Sequence, residues 1–277
     1  VVSTAPSNGA GDVYHRDPLS FVLTSPDPTA TVLADFPGTQ LVSDDGLTIT
    51  YVPDAPLEPD TTHVVALDYC YAQPEIRFTT SGLGEPLENN LDLVGASWIV
   101  DPVGGEYVEG SGFASIMALV FDRELVVQVI DIDGSDLTMR LGVADESGSE
   151  QDECFRTLDV TAVDFSEEPY FQYDSSRMSV QSFNGSLTLH DVDLTGTISS
   201  DADTFGGVEF SMMVDVADLV SVMKLADVDS LCYMAENLGS DCGPCPEGDS
   251  DSCIPVVAHG LVGPMAGLDV VHVEETN

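Results

Sequence analysis

The chain has 277 residues, of which 49 are acidic and seven are Lys or Arg, so its formal net charge at pH 7 is −42. This charge argues against nucleic acid and anionic membrane surfaces as direct partners, because both are negatively charged themselves. A hydrophobic fraction of 43% excludes a wholly disordered chain, and no apolar run reaches the ~18 residues of a membrane-spanning helix. Self-repulsion on this scale strains a compact fold unless salt screens it. We therefore expect a saline or cation-rich extracellular setting and, from the length, two domains.

The first domain is predicted over residues 1–82, where short alternating segments are separated by turn residues. In the clearest hairpin, Ser43–Gly46 form a turn before a segment in which Leu47, Ile49 and Tyr51 share one face. Short strands at this spacing are typical of an all-β sandwich. The main predicted strands are residues 19–24, 47–52, 64–67 and 76–80.

Three stretches of this domain carry a family resemblance. They are residues 2–13 (Val-Ser-Thr-Ala-Pro-Ser-Asn-Gly-Ala-Gly-Asp-Val), residues 43–63 (Ser-Asp-Asp-Gly-Leu-Thr-Ile-Thr-Tyr-Val-Pro-Asp-Ala-Pro-Leu-Glu-Pro-Asp-Thr-Thr-His) and residues 78–81 (Phe-Thr-Thr-Ser). Residues 1–82 resemble the bacterial Ig-like domains of S-layer and other cell-surface proteins. The resemblance implies an Ig-like β-sandwich that serves as a spacer or adhesive module, and it covers nothing beyond residue 82.

One position departs from that family. His63 stands where the family usually has the corner tyrosine, whose hydroxyl bonds to the backbone. We expect a structural role for His63 and a hydrogen bond to the backbone in the same place.

A second, larger β-rich domain is predicted over residues 91–277, after a linker at 83–90 that is rich in Gly, Pro and acidic residues. A change of alternation phase predicts a bulge at His190-Asp191. The pattern predicts a curved antiparallel sheet or partly open barrel closed by a helix. The predicted strands are residues 96–100, 113–121, 124–130, 137–143, 158–165, 178–183, 186–189, 192–198, 208–214, 256–262 and 268–273.

Helical periodicity occurs in one region, where Val228, Leu231 and Ala235 recur at the spacing of one helix face. Asp227 is a suitable N-cap and Gly239 a suitable end. Because residues 216–225 extend the pattern, we predict a helix or helix pair over about 216–238, followed by a Cys-rich loop at 239–253.

Four of the six cysteines lie close together near the C-terminus: Cys232, Cys242, Cys245 and Cys253. The Cys-x-x-Cys pair with two further thiols fits structural disulfides, a zinc site or a redox motif. The acidic loop beside them disfavours a reactive thiolate, so we favour disulfides in which Cys242 and Cys245 each join Cys232 or Cys253. The two remaining cysteines, Cys70 and Cys154, are then predicted to bond each other across the domain boundary.

Two further groups of polar residues are candidate sites. Asp131, Asp133 and Asp136 place three carboxylates in one turn, which is the oxygen chemistry of Ca²⁺, but the closing Glu of an EF-hand loop is absent. A solvated hairpin turn is the simpler interpretation. His190-Asp191 is the nearest approach to a catalytic pair, but the favoured interpretation is a polar residue at a bulge.

No catalytic motif is present, so we expect no enzyme and no cofactor other than Ca²⁺. The favoured function is a non-enzymatic structural or adhesive protein, secreted or on the surface of a salt-adapted bacterium. Its partners would be other proteins, in self-assembly or in a surface layer or fibre. The alternative is an extracellular module that holds an apolar ligand in the second domain, where six methionines suit an irregular cavity: Met117, Met139, Met178, Met212, Met213 and Met223.

Overall fold

The computed structural model describes residues 1–70, 72–88, 92–109, 123–182, 185–248 and 250–274 of the 277 residues. The chain divides into two compact units, Val1–Glu85 and Pro86–Asn277. Both are built chiefly from β-strands, which confirms the all-β fold class. The division falls within the segment predicted as a linker. The predicted strand at 113–121 and Met117 lie outside the described residues.

The described part of the first unit forms two four-stranded sheets, with strand orders β1-β3-β6-β5 and β2-β8-β7-β4. Strand β1 is antiparallel to β3 in the first sheet, and β2 is parallel to β8 in the second. The strands are β1 (Ser3–Ala5), β2 (Ala10–Val13), β3 (Leu19–Val22), β4 (Thr31–Ala34), β5 (Gly38–Val42), β6 (Thr48–Pro53), β7 (Thr62–Asp68) and β8 (Glu75–Thr80).

The two sheets share one core, to which alternate residues of β3, β6, β7 and β8 contribute. Phe21 and Ile49 from the first sheet and Val65 and Phe78 from the second are at most 1% exposed. The period-two pattern therefore assigned the buried face of these strands correctly.

The expected backbone hydrogen bond of His63 is wrong. His63 lies on β7, and its Nδ1 is 3.4 Å from a carboxylate oxygen of Asp35. Its ring packs edge-on to Phe36, with centroids 5.2 Å apart. The imidazole therefore meets a nearby carboxylate, whereas two longer phenol side chains reach the backbone. Tyr51 donates to the carbonyl of Phe36 at 3.0 Å, and Tyr69 donates to that of Ser25 at 3.0 Å.

The second unit is organised around one nine-stranded antiparallel sheet of order β10-β17-β16-β15-β14-β13-β12-β11-β9. Register shifts between His190 and Asp193 place a bulge where the sequence predicts one. The strands are β9 (Ser97–Val100), β10 (Glu106–Glu109), β11 (Leu125–Asp133), β12 (Asp136–Val143), β13 (Leu158–Glu167), β14 (Tyr170–Ser182), β15 (Gly185–Ile198), β16 (Thr204–Asp215) and β17 (Cys253–Pro264).

This sheet curls until its ends approach each other, as predicted for a partly open barrel. Trp98 on β9 forms a bridge with Met265, just after β17, and the amide of Ala266 donates to the carbonyl of Ser97 at 2.7 Å. Trp98 is fully buried, and its indole N–H donates to the carbonyl of Ala202 at 2.8 Å. The curled sheet thereby encloses one apolar core.

Two helices stand where one helix or a pair is predicted. Helix α1 (Val216–Met223) is capped by Asp215, and α2 (Val228–Asn237) by Asp227, whose carboxylate accepts from the amide of Ser230 at 2.7 Å. Lys224 ends α1 in the left-handed conformation, at φ 56°. Gly239 follows α2 at φ +86°, as expected for a helix end.

The strand predicted at residues 268–273 is wrong. The backbone amides of this segment form hydrogen bonds to side chains and not to a neighbouring strand. The amide of Val270 donates to Gln128 Oε1 at 2.9 Å, and that of Val271 donates to Gln151 Oε1 at 2.7 Å. Val270 itself is 2% exposed. The apolar alternation in this segment therefore reflects the packing of Val270 against Val126 and Ala144, outside the main core of the sheet.

Candidate functional sites

The four C-terminal cysteines form two disulfides, Cys232–Cys242 and Cys245–Cys253. Cys242 and Cys245 do not bond each other, in agreement with the favoured pairing. In this oxidised state no thiolate of the four is available for a four-cysteine zinc site or for redox attack.

The predicted bond between Cys70 and Cys154 is wrong, because both are free and exposed. Cys70 sits at a local turn with φ 50°, and its amide donates to a carboxylate oxygen of Asp27 at 3.3 Å. The amide of Cys154 donates to Asp152 at 3.0 Å. The hydrogen bond from the Cys154 thiol to Asp152 raises the pKa of that thiol, and the negative charge of Asp152 adds to the effect. Local carboxylates thus hold each cysteine at the surface.

The three aspartates of the calcium candidate lie at the hairpin between β11 and β12. Asp131, Asp133 and Asp136 are all exposed, and Asp133 pairs directly with Asp136 across the turn. Within the described ranges, the grouping of potential metal ligands within 4.8 Å lies elsewhere and contains none of these carboxylates. The geometry fits the solvated hairpin turn.

His190 and Asp191 are separated by the bulge that contains them. His190 is 0% exposed, whereas Asp191 is exposed and adopts φ 45°. Neither ring nitrogen of His190 has a hydrogen-bond partner, so Asp191 does not orient the imidazole. A buried polar atom left unpaired costs roughly 1–3 kcal/mol. The two residues do not form a catalytic pair, and the buried imidazole calls for another explanation.

That imidazole lies beside one of the disulfides. A ring nitrogen of His190 and the Sγ atoms of Cys245 and Cys253 all lie within 4.8 Å of one another. Sequence reasoning missed this grouping because the bulge at His190 and the cysteines are more than fifty positions apart. The phase slip was the one signal that marked His190 as unusual.

The curled sheet also contains an apolar cavity of about 170 Å³. It is lined mainly by aliphatic and aromatic side chains of the sheet's inner face, and Arg156 and Gln181 are the polar side chains beside it. Met178 and Met212 line it, whereas Met139 is 2% exposed within the core. The volume is close to the ~150 Å³ that accommodates benzene in an engineered cavity and below the ~300 Å³ of typical ligand pockets.

The two sheets of the first unit end in strands of different character. The side chain of Gln40 covers the edge of β4, because its Oε1 accepts from the amide of Val32 at 2.9 Å and its Nε2 donates to the carbonyl of Ala30 at 3.0 Å. Strand β5 is one of the two terminal strands of the other sheet in the described residues, and β1 is the other. It exposes Leu41 by 55% and Val42 by 54%. None of its five residues is charged.

Comparisons with known proteins add little to this description. No protein-family model matches the chain, and no curated protein matches it. Among solved structures, surface layer protein SbsC, domains 4-9, matches 79% of this chain and 28% of that chain, with 11% identity and a TM-score of 0.20. The present chain thus spans little more than a quarter of that structure. Among the described residues, no helix is both long enough and apolar enough to cross a membrane.

Proposed function

We propose that this protein is a non-enzymatic structural or adhesive component of an extracellular or cell-surface assembly in a salt-adapted bacterium. The observation that carries the proposal is the edge of β5, which pairs with no further strand in the described part of the chain and exposes Leu41 and Val42. An edge strand offers unpaired N–H and C=O groups that another strand can join, and proteins usually protect such edges with charge, proline or a covering segment. The chain has 49 acidic residues, yet β5 carries no charge that would repel an approaching strand. We infer that the backbone groups of this edge bind a strand of another molecule.

The properties of the two units support an extracellular setting. Disulfides persist in oxidising compartments, and the second unit contains two of them. The strand order of the first unit supports its resemblance to bacterial Ig-like domains of cell-surface proteins. The charge of −42 requires screening before two copies of the chain can approach each other.

A pair of matched substitutions tests the role of the β5 edge. Leu41→Lys places a charge on the uncovered strand, and Leu33→Lys places one on β4, where Gln40 covers the edge and Leu33 is 48% exposed. In wild-type protein, native mass measurement in high salt should show a dimer or larger species. Leu41→Lys should weaken that association at least tenfold, and Leu33→Lys should leave it unchanged. A monomer at every salt and protein concentration, or equal effects of the two substitutions, would contradict the proposal.

The apolar cavity supports a second candidate function, the binding of a small apolar molecule. Because ligand binding stabilises the folded state by mass action, benzene should raise the melting temperature of the wild-type protein. Leu194→Trp fills the cavity and should abolish this shift, whereas Val108→Trp at a position 58% exposed should preserve it. An unchanged melting temperature in saturating benzene, or an equal shift in both variants, would remove this candidate.

A further inference from the structure

The group formed by His190, Cys245 and Cys253 has the composition of a metal site. The three side chains are 0%, 5% and 0% exposed, and their ligand atoms lie within 4.8 Å of one another. Both ring nitrogens of His190 lack a hydrogen-bond partner, so the imidazole has a free lone pair beside the two sulfur atoms. An imidazole with two cysteine sulfurs is a combination that binds Zn²⁺.

The sheet holds two of the three ligands on one face. His190 on β15 pairs with Met213 on β16, and Met213 pairs with Pro255 on β17. Cys253 lies two residues before Pro255 and so shares its face. Cys245 is brought in by the loop that precedes β17, through the disulfide. Three adjacent strands, paired in register at His190, Met213 and Pro255, thus fix the relative positions of the imidazole and one sulfur.

We propose that these three residues form a binding site for a thiophilic divalent cation such as Zn²⁺, which becomes available when the Cys245–Cys253 disulfide is reduced. Zn²⁺ binds cysteine sulfur at about 2.3 Å and histidine nitrogen at about 2.0 Å in tetrahedral geometry. Ligand atoms in such a site are separated by roughly 3.5–3.8 Å. The sulfurs of Cys245 and Cys253 are bonded to each other in the disulfide, so they must move apart after reduction to take up this spacing beside the imidazole. Three protein ligands leave the fourth position to water.

The site forms in two steps, reduction of the disulfide and then binding of the metal ion. A dithiol reductant transfers two electrons and two protons to the S–S bond, is itself oxidised to a disulfide, and leaves two cysteine thiols on the protein. Zn²⁺ displaces both thiol protons to solvent, and His190 contributes a lone pair without losing a proton. The same pair of cysteines therefore holds the loop by a covalent bond when oxidised and by a metal ion when reduced.

Spectroscopic titration with Co²⁺ tests the site in the full chain. Replacing Cys70, Cys154, Cys232 and Cys242 by Ser removes every other sulfur donor of cysteine. The reduced variant should bind one Co²⁺ per chain with the near-ultraviolet thiolate charge-transfer band and visible bands of tetrahedral Co²⁺, and Zn²⁺ should displace it. The oxidised variant should show neither band. Surface carboxylates bind Co²⁺ without a thiolate band, so they do not imitate the result.

Two histidine substitutions in that background test the contribution of His190. His190→Phe should weaken Co²⁺ and Zn²⁺ binding at least about 100-fold, beyond the effect of losing an outer-shell partner. His259→Phe removes a half-exposed imidazole that lies 3.0 Å from Glu209 and should leave binding unchanged. If His190→Phe does not fold, Cys245→Ala should give the same loss. Absence of a thiolate band in the reduced protein, or equal affinity with and without His190, would overturn the proposal.

Discussion

The imidazole of His15 lies directly against the backbone of Gly84. A Cβ atom added to Gly84 would come within 2.7 Å of two ring atoms of His15. Gly84 also adopts φ +101°, a conformation that side-chain-bearing residues rarely take. His15 is 4% exposed and packs edge-on to Tyr14, with centroids 4.7 Å apart. The end of the first unit is therefore closed over a buried imidazole.

Gly84→Ala should destabilise the first unit by about 1–3 kcal/mol, because the new methyl group meets the ring and the backbone is strained. Gly11→Ala is the matched control, since a Cβ there meets nothing within 4 Å and its φ is not positive. Urea unfolding of the two variants measures the difference. Equal free energies of unfolding for Gly84→Ala and Gly11→Ala would show that the contact between His15 and Gly84 does not contribute to stability.

The stability of the first unit should depend on the protonation of His15. Burial lowers the pKa of His15 from 6.5 to about 4, and the nearby Arg16 charge acts in the same direction. Between these values the unfolded chain binds more protons than the folded one, so the free energy of unfolding rises with pH and falls as the solution is acidified. Wild-type protein should lose up to about 3 kcal/mol more than His15→Gln between pH 7 and pH 4.

Chemical unfolding of wild-type protein and His15→Gln at several pH values measures this difference directly. Protonation of the many surface carboxylates affects both proteins alike and cancels in the comparison. Parallel pH profiles would contradict the buried, uncharged state of His15.

Alkylation should distinguish the two free cysteines. Asp152 raises the pKa of Cys154, so less of this thiol is in the reactive thiolate form at neutral pH. Asp152→Asn removes the negative charge and should make Cys154 react severalfold faster with iodoacetamide. Cys70 serves as the internal control, because its carboxylate neighbour is Asp27. Mass spectrometry of the labelled peptides gives both rates, and an unchanged Cys154 rate would contradict the role of Asp152.

Salt should raise the thermal stability of the whole chain. Repulsion among 42 uncompensated negative charges destabilises the compact state at low ionic strength. The Debye length falls from ~30 Å at 0.01 M to ~3 Å at 1 M, so a melting series in NaCl should rise over this range. CaCl₂ at matched ionic strength should give the same curve, since Asp131, Asp133 and Asp136 form no ligand cluster. A melting temperature that does not change with NaCl concentration would contradict the adaptation of this protein to salt.

Local patterns predicted much of the fold because each strand buries one face. Leu137 and Met139 alternate with polar residues, and both are at most 2% exposed on β12. The same logic failed for residues 268–273, where burial of Val270 depends on side-chain hydrogen bonds from Gln128 and Gln151. Alternation reports which side chains are buried, and it does not report what satisfies the backbone.

The candidate sites were less predictable because they depend on contacts between distant parts of the chain. The apolar cavity arises from the curvature of the whole sheet, and no single strand contains a signal for it. Gln40 covers the edge of β4 while belonging to β5, so the sequence of either strand alone does not reveal which edge stays open. The phase slip at His190 was readable, but its cysteine neighbours follow from the register of three strands.

The single tryptophan of the chain makes the second unit optically distinct. Trp98 is fully buried there, stacked on Phe205 with centroids 5.3 Å apart, and the first unit has none. Intrinsic emission excited at 295 nm therefore follows the opening of the curled sheet alone, while far-ultraviolet circular dichroism follows both units. Any interval between the two transitions in one denaturant titration measures how independently the units unfold, without a label and without dividing the chain.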